Sequence, residues 1–326
     1  MGKIALYPLK FDPIFKEKIW GGNKLASFLN KETNSAAKIG ESWEISGVSG
    51  SISKVANGPL KGLSLTELCK SYKDELLGSS VYNQFEDEFP LLVKFIDASE
   101  DLSVQLHPND EVAQKKHKSF GKAEMWYIID AEEKSRIIYG FKNLNSLGEV
   151  KKLLSNEEIM NSLNEIEVSE GDSYYIEPGT VHAIGKGILL AEIQQSSDIT
   201  YRIYDYNRKD AEGNTRELHT ADAIESVKLN SIKKNEPKSL KEETLFETPY
   251  FVTNKIQLDN NIVEKSYSEI DSFVIFTIID GSLTIMDKNL NEYSFNKGEA
   301  ILIPNSIDTL KIESKTKATI LETYLP

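Results

Sequence analysis

The chain holds only four histidines, so each can be weighed singly as a metal ligand or proton carrier. His107 lies in DLSVQLHPND (101–110), where period-two alternation along a β-strand puts Ser103, Gln105 and His107 on one face. Three polar side chains in a row either meet solvent or meet something polar inside, because unpaired buried polar groups are costly. His182 follows EPGT (177–180), where Pro178 shapes a turn and Gly179 relaxes it, a rigid mount for an imidazole at a strand end. Glu124 opens EMWYIID (124–130) directly after a Gly121-Lys122 turn. Two imidazoles, a carboxylate and an amide form a donor set that suits Zn²⁺ with a position left for water or substrate. Taken one at a time, each histidine is by default a surface or hydrogen-bonded residue. His117, in the basic run KKHK, reads as solvated, and His219, in RELHTAD, as lying near a helix cap.

Such donors need stiff elements to hold them, and the sequence is rich in short β-like runs. PLLVKFID (90–97), EMWYIID (124–130), SRIIYGF (135–141), DSYYIEP (172–178), GILLAEIQQ (187–195) and SFVIFTIIDGSLTIMD (272–287) concentrate β-branched and aromatic residues between turn formers. Their spacing predicts a mainly β protein, a sandwich or barrel, with helices as insertions. The first helix is expected over SLTELCKSYKDELLG, where Ser64 and Glu67 form a capping box and Leu65, Leu68, Tyr72 and Leu76 share a face. Cys69 adjoins that stripe and reads as a buried structural thiol. A second follows Pro108. A third lies in NSLGEVKKLLSNEEIMNSLNE, where Ser155 and Glu158 suggest that a further helix starts. From about Val227 to Glu247 large apolar residues thin out and Lys and Glu accumulate, which marks a linker. The expected division is 1–235 and 236–326.

Residues 171–182 (GDSYYIEPGTVH) and 298–308 (GEAILIPNSID) share a pattern of Gly, acid, β run and Pro. Aligned on the prolines, His182 faces Asp308, so the pattern implies two related β domains of which only the first keeps a metal-competent turn. With 51 acidic against 38 basic residues the net charge is −13, which opposes binding to nucleic acid or to an anionic membrane. One cysteine excludes an internal disulfide. The amino-terminal stretch shows no export or lipid signal, and no apolar run approaches the length of a membrane span. The expectation is a cytoplasmic protein.

The motifs LSVQLHPND, GKAEMWYII, EPGTVHAIGKG and AEIQQSSDITYRIYDY, in that order, resemble the type I mannose-6-phosphate isomerases in their short bacterial form, members of the cupin superfamily. The match extends from Trp20-Gly21-Gly22 and ESWEIS (41–46) to Arg202 and Tyr206, with a weaker likeness of the C-terminal part to a degenerate second cupin. The resemblance implies two jelly-roll domains, helical insertions in the first, and one Zn²⁺ held by Gln105, His107, Glu124 and His182. It implies interconversion of mannose 6-phosphate and fructose 6-phosphate through an enediol, so the partner is a small phosphorylated sugar. Arg202 matches an active-site arginine that stabilises the enediolate, Lys122 a pocket lysine, and Glu192 and Asp198 acidic residues around the site. Ser103 is similar to a residue near the substrate phosphate, and Trp20 to a pocket wall. The group that removes the proton stays open between Lys122 and a carboxylate or water near the metal. Core packing is the default for at least two of Trp20, Trp43 and Trp126. Longer members carry an extra helical domain between Glu124 and His182, for which this chain lacks room, so its phosphate pocket is built differently. Two other readings fit parts of the pattern: an Fe(II) oxygenase, which also uses two His and a carboxylate, and a sugar-phosphate-binding regulator without turnover.

Overall fold

In the computed structural model, residues 3–34, 37–142, 144, 146–155, 158–209, 213–229 and 242–326 are described. Three antiparallel sheets form the framework, as the β-rich runs predict. One has six strands in the order Ile14–Gly22, Ile39–Ile45, Leu91–Ala98, Ile188–Gln195, Glu124–Ala131 and Ser173–Ile176. Facing it is a five-stranded sheet ordered Tyr201–Tyr204, Val104–Leu106, His182–Ile184, Arg136–Phe141 and Leu163–Glu167. Ile96, Trp126, Ile128 and Leu190 from the first pack with Ile137, Tyr139 and Ile184 from the second, forming the core of a sandwich.

The six-stranded sheet is buried on both faces, which explains why its central strands read as nearly continuous apolar runs. Leu91, Val93 and Phe95, Met125, Tyr127 and Ile129, and Leu189, Ala191 and Ile193 point away from the sandwich into a second core. Each such side chain contributes roughly 1.5–3 kcal/mol by leaving water. Strand alternation then sends Lys94, Glu124 and Glu192 to the opposite face, toward the five-stranded sheet. With Glu41 and Gln194 on the same face, these polar residues form an island beside Ile96, Trp126, Ile128 and Leu190.

The second core is shared with a C-terminal sheet ordered Leu9–Lys10, Ala300–Ile303, Val274–Asp280, Thr309–Tyr324, Val252–Ser266 and Glu242–Glu247. The hairpin Ser282–Met286 and Glu292–Asn296 joins it through Thr309–Tyr324. A separate cluster, including Phe276, Ile285, Ile301 and Ile320, fills the inside of this sheet. Its edge strand comes from the other end of the chain: Leu9 and Lys10 pair with Leu302 and Ile301.

The repeat is visible in the hydrogen bonds. Gly171 N–H donates to Ile128 O and Gly298 N–H to Ile278 O, both at 2.9 Å, while Ile128 and Ile278 return bonds to Asp172 and Glu299. Both glycines have positive φ, +87° and +86°, where a side chain is disfavoured. The turns that follow are closed by Thr180 to Glu177 and by Ile307 to Pro304. This register corrects the alignment on prolines by one residue: Thr309, first residue of its strand, stands where His182 begins its own.

Three further expectations change. The capping box of Ser64 and Glu67 is formed, and Leu65, Leu68, Cys69, Tyr72 and Leu76 are buried. The helix nevertheless breaks at Lys73, φ +50°, into Leu65–Tyr72 and Asp74–Leu77, with Ser79–Phe85 after them. After Leu147–Ser155 no second α-helix forms among the described residues. A 3₁₀ turn, Ile159–Ser162, leads into the strand Leu163–Glu167, because pairing with Arg136–Phe141 satisfies its backbone and buries Leu163. The linker also ends sooner than composition suggests: Glu242–Glu247 is a strand with Leu245 and Phe246 buried. The 235/236 boundary lies outside the described residues. Asp110–His117 is helical as expected, capped by the Asn109 side chain, and His219 is the N-cap residue of Thr220–Ser226. His117 is exposed, with a ring nitrogen 2.8 Å from the Tyr201 hydroxyl.

Candidate functional site

At one end of the sandwich the two sheets bring His107, Glu124 and His182 together, each 1 % exposed, with ligand atoms within 4.8 Å of one another. Strand pairing does the placing. His182 lies opposite Gln105, and Arg202 faces Gln105 from the other side. Gly179 N–H donates to His107 O at 2.8 Å, tying the turn before His182 to the segment that carries the first histidine. Gly179 has φ +89°, and a Cβ there would sit 2.5 Å from Ser226 O.

Both imidazoles are oriented from behind. Nδ1 of His107 lies 2.8 Å from Ile199 O and Nδ1 of His182 lies 2.9 Å from Thr180 O. Carbonyls only accept, so each ring carries its proton on Nδ1 and turns the Nε2 lone pair inward, as metal-ligating histidines do. Those Nε2 atoms are 3.4 and 3.3 Å from the two Glu124 oxygens. Burial, then the Lys122 ammonium, brings the His107 imidazole down to about 3, and burial likewise lowers His182. Both rings are therefore neutral donors at ordinary pH. Burial pulls Glu124 toward neutrality, but the Lys122 ammonium outweighs it and holds its carboxyl well below the usual range.

Both Glu124 oxygens and His182 Nε2 are buried without a hydrogen bond. Lys122 Nζ is 3.0 Å from Glu124 Oε2, close enough for an ion pair though not in hydrogen-bonding geometry, and 3.0 Å from His107 Nε2. Orphaned acceptors are expensive in a dry interior, and two imidazoles with a carboxylate fit a divalent cation that would satisfy all of them.

Above this cluster opens a cavity lined by Trp20, Ser103, Gln105, Lys122, His182, Glu192, Asp198 and Arg202. The structure thus brings together every residue singled out from the sequence. Gln105 is half-buried and accepts from Ser103 Oγ at 3.4 Å. Arg202 donates from Nε to Ser103 Oγ (3.3 Å) and from Nη1 to Glu217 O (3.0 Å). Asp198 is exposed on the cavity wall.

Sequence reasoning missed the charged floor. Lys94 pairs with Glu192 at 2.9 Å, and Glu192 also accepts from Trp126 Nε1 at 3.1 Å. Glu41 accepts from Trp43 Nε1 at 2.6 Å and pairs with Lys18 at 3.1 Å. Burial opposes the Lys94 charge, but Glu192 and Glu41 more than compensate and hold the ammonium above its ordinary range. Burial pushes Glu192 above the usual carboxylate range, against Lys94. A signal was present: Lys94 is the one charged residue inside the apolar stretch LLVKFI. Trp43 lines the same cavity rather than serving only the core. Arg216, also missed, belongs to the wall.

Comparison with known proteins agrees with this arrangement. Residues 8–149 match the family described as phosphomannose isomerase type I, catalytic domain, and residues 241–322 the mannose-6-phosphate isomerase cupin domain. Mannose-6-phosphate isomerase ManA of Bacillus subtilis is 39% identical over 96% of this chain and 98% of its own length. The mannose-6-phosphate isomerase of Streptococcus mutans is 34% identical over 94% of this chain and 95% of its own. Among solved structures, the Bacillus subtilis mannose 6-phosphate isomerase superposes with a TM-score of 0.86 at 33% identity, covering 97% of this chain and 99% of that one. Similarity of this extent, spanning both domains, means that the chain belongs to the type I phosphomannose isomerases.

Proposed function

We propose that the protein interconverts mannose 6-phosphate and fructose 6-phosphate using one Zn²⁺ held by His107, Glu124 and His182, with Gln105 as the fourth ligand. The observation that carries the metal reading is the buried, hydrogen-bond-deficient Glu124 and His182 atoms facing the His107 ring. In this family's reaction a proton moves between C2 and C1 of the opened sugar, and negative charge develops on an adjacent oxygen in the enediolate. Bound Zn²⁺ supplies a Lewis acid that stabilises that charge. Arg202, whose guanidinium stays charged, adds a second positive group at the cavity wall. Proton transfer falls to Lys122 or Glu192, the titratable groups lining the cavity beside the metal cluster. Glu192, raised by burial, is a stronger base than a solvated carboxylate. Trp20 walls the pocket, Ser103 lies near the substrate phosphate, and Asp198 contacts the sugar. Residues 1–235 form the catalytic unit and 236–326 the cupin without metal ligands.

The test is a coupled assay for fructose 6-phosphate with metal analysis. Chelation should abolish turnover and added Zn²⁺ restore it, and His107→Ala and His182→Ala should each lose metal and activity together. Full activity in metal-free protein overturns the zinc reading, and stoichiometric iron with oxygen consumption would favour an oxygenase.

A further inference from the structure

Arg216 lines the cavity with Arg202, Ser103 and Thr200, and is gripped along one edge. Its Nε donates to Asp205 Oδ2 at 2.7 Å and its Nη2 to Asp205 Oδ1 at 2.5 Å. Asp205 is 6 % exposed, and its Oδ1 also accepts from Arg208 Nη2 at 2.5 Å. Arg208 in turn donates to Asp101 O. The carboxylate occupies only the Nε and Nη2 edge, and Nη1 of Arg216 has no hydrogen-bond partner among the described residues.

Among the described residues the charges do not balance locally. Arg202, Arg208 and Arg216 neighbour one buried carboxylate, Asp205, while Asp101 is half-buried with its side chain accepting from Lys186 N–H, and Asp198 and Glu217 are exposed. Burial and then the Arg216 and Arg208 charges bear on Arg202, with Asp205 opposing, so the three cations are near enough to repel one another. A chain of net charge −13 could neutralise such a cluster with its own acids. Leaving positive charge in surplus prepares the wall for an anion from outside. Arg216 is also at a more open part of the site, its side chain 29 % exposed against 1 % for Glu124 and His182.

We propose that Arg216, held rigid by Asp205, takes the phosphate of the substrate through its unoccupied guanidinium edge, leaving the reacting carbons to the His107, Glu124 and His182 end. This rests on the isomerase reading above. Asp205 is then a positioning residue, acting through Arg216. A guanidinium fork with one edge anchored presents the other in fixed geometry to a dianion.

Steady-state kinetics on the zinc-loaded protein test it, together with calorimetric titration by inorganic phosphate. Arg216→Gln should raise KM for mannose 6-phosphate about ten- to hundredfold, change kcat less than about threefold, and weaken phosphate binding by the same factor as KM. Arg216→Lys should recover part of that loss, and Asp205→Asn should raise KM by a smaller factor with metal content intact. Wild-type KM and phosphate affinity in Arg216→Gln, or a fall in kcat alone, would overturn the assignment. A wild-type protein that isomerises nothing yet binds phosphate through Arg216 removes the isomerase reading and keeps the anion site, so the two failures are distinguishable.

Discussion

Replacing Glu41 by Gln should flatten the acid side of the stability profile. Glu41 lies 3.1 Å from Lys18 Nζ and accepts from Trp43 Nε1 at 2.6 Å. Burial alone would raise its carboxyl, but Lys94, Lys18 and the Trp43 N–H prevail and bring it to about 2, against 4.5 for an ordinary glutamate. Below 4.5 the unfolded chain binds the proton more readily than the folded one, so stability tied to this group is complete above that pH and lost as pH falls through the folded value. At about 1.4 kcal/mol per pH unit, roughly 3 kcal/mol is at stake, of which about 2 kcal/mol is gone by pH 3. Urea denaturation followed by tryptophan fluorescence, at several pH values between about 6 and 3, measures the stability gap between wild type and Glu41→Gln. The gap should shrink by about 2 kcal/mol over that range. A gap that stays constant refutes the coupling of Glu41 to the lysines.

Lys94→Met should destabilise the protein by about 3–5 kcal/mol, because Glu192 would have to hold a buried charge without its counterion or take up a proton on folding. Urea midpoints for this variant and for Lys94→Met with Glu192→Leu should show the second change recovering most of the loss; an unaffected single variant would mean the pair carries no weight. Gly179→Ala puts a side chain at φ +89° and 2.5 Å from Ser226 O, costing about 1–3 kcal/mol. It should also lower metal affinity, read by competition with a chromogenic chelator, since the same peptide N–H holds the His107 carbonyl. Burial pushes the Cys69 thiol up to about 12, so a thiol reagent should label the native protein only at the rate of unfolding; rapid labelling without denaturant would contradict its packing.

The cluster of His107, Glu124 and His182 was legible through the ordered motifs that carry the family resemblance, and local pattern added only weak signals. Ser103, Gln105 and His107 alternate along a strand, and His182 follows a Pro-Gly turn, patterns that a purely apolar sheet has no use for. The charged floor was not, because Glu41 and Lys94 meet only after separate strands pair, and nothing near either residue in the chain announces the other. The break at Lys73 was hidden for a related reason: the apolar stripe continues through Tyr72 and Leu76, and both remain buried on either side of it. At Leu163–Glu167 the local preference was for helix, and an available sheet edge overrode it. Arg216 lies beyond the motifs that carried the resemblance, so its place on the cavity wall shows only in three dimensions.

The short strand Leu9–Lys10 works as a clasp whose two halves are made at opposite times. During synthesis the leading segment emerges long before Leu302, so its edge stays open until the trailing sheet is nearly finished. A chain cut before that sheet would expose Leu9, now shielded and paired with Leu302, and would need a new cover for it to stay in solution. The two halves of the molecule are therefore expected to resist being produced separately.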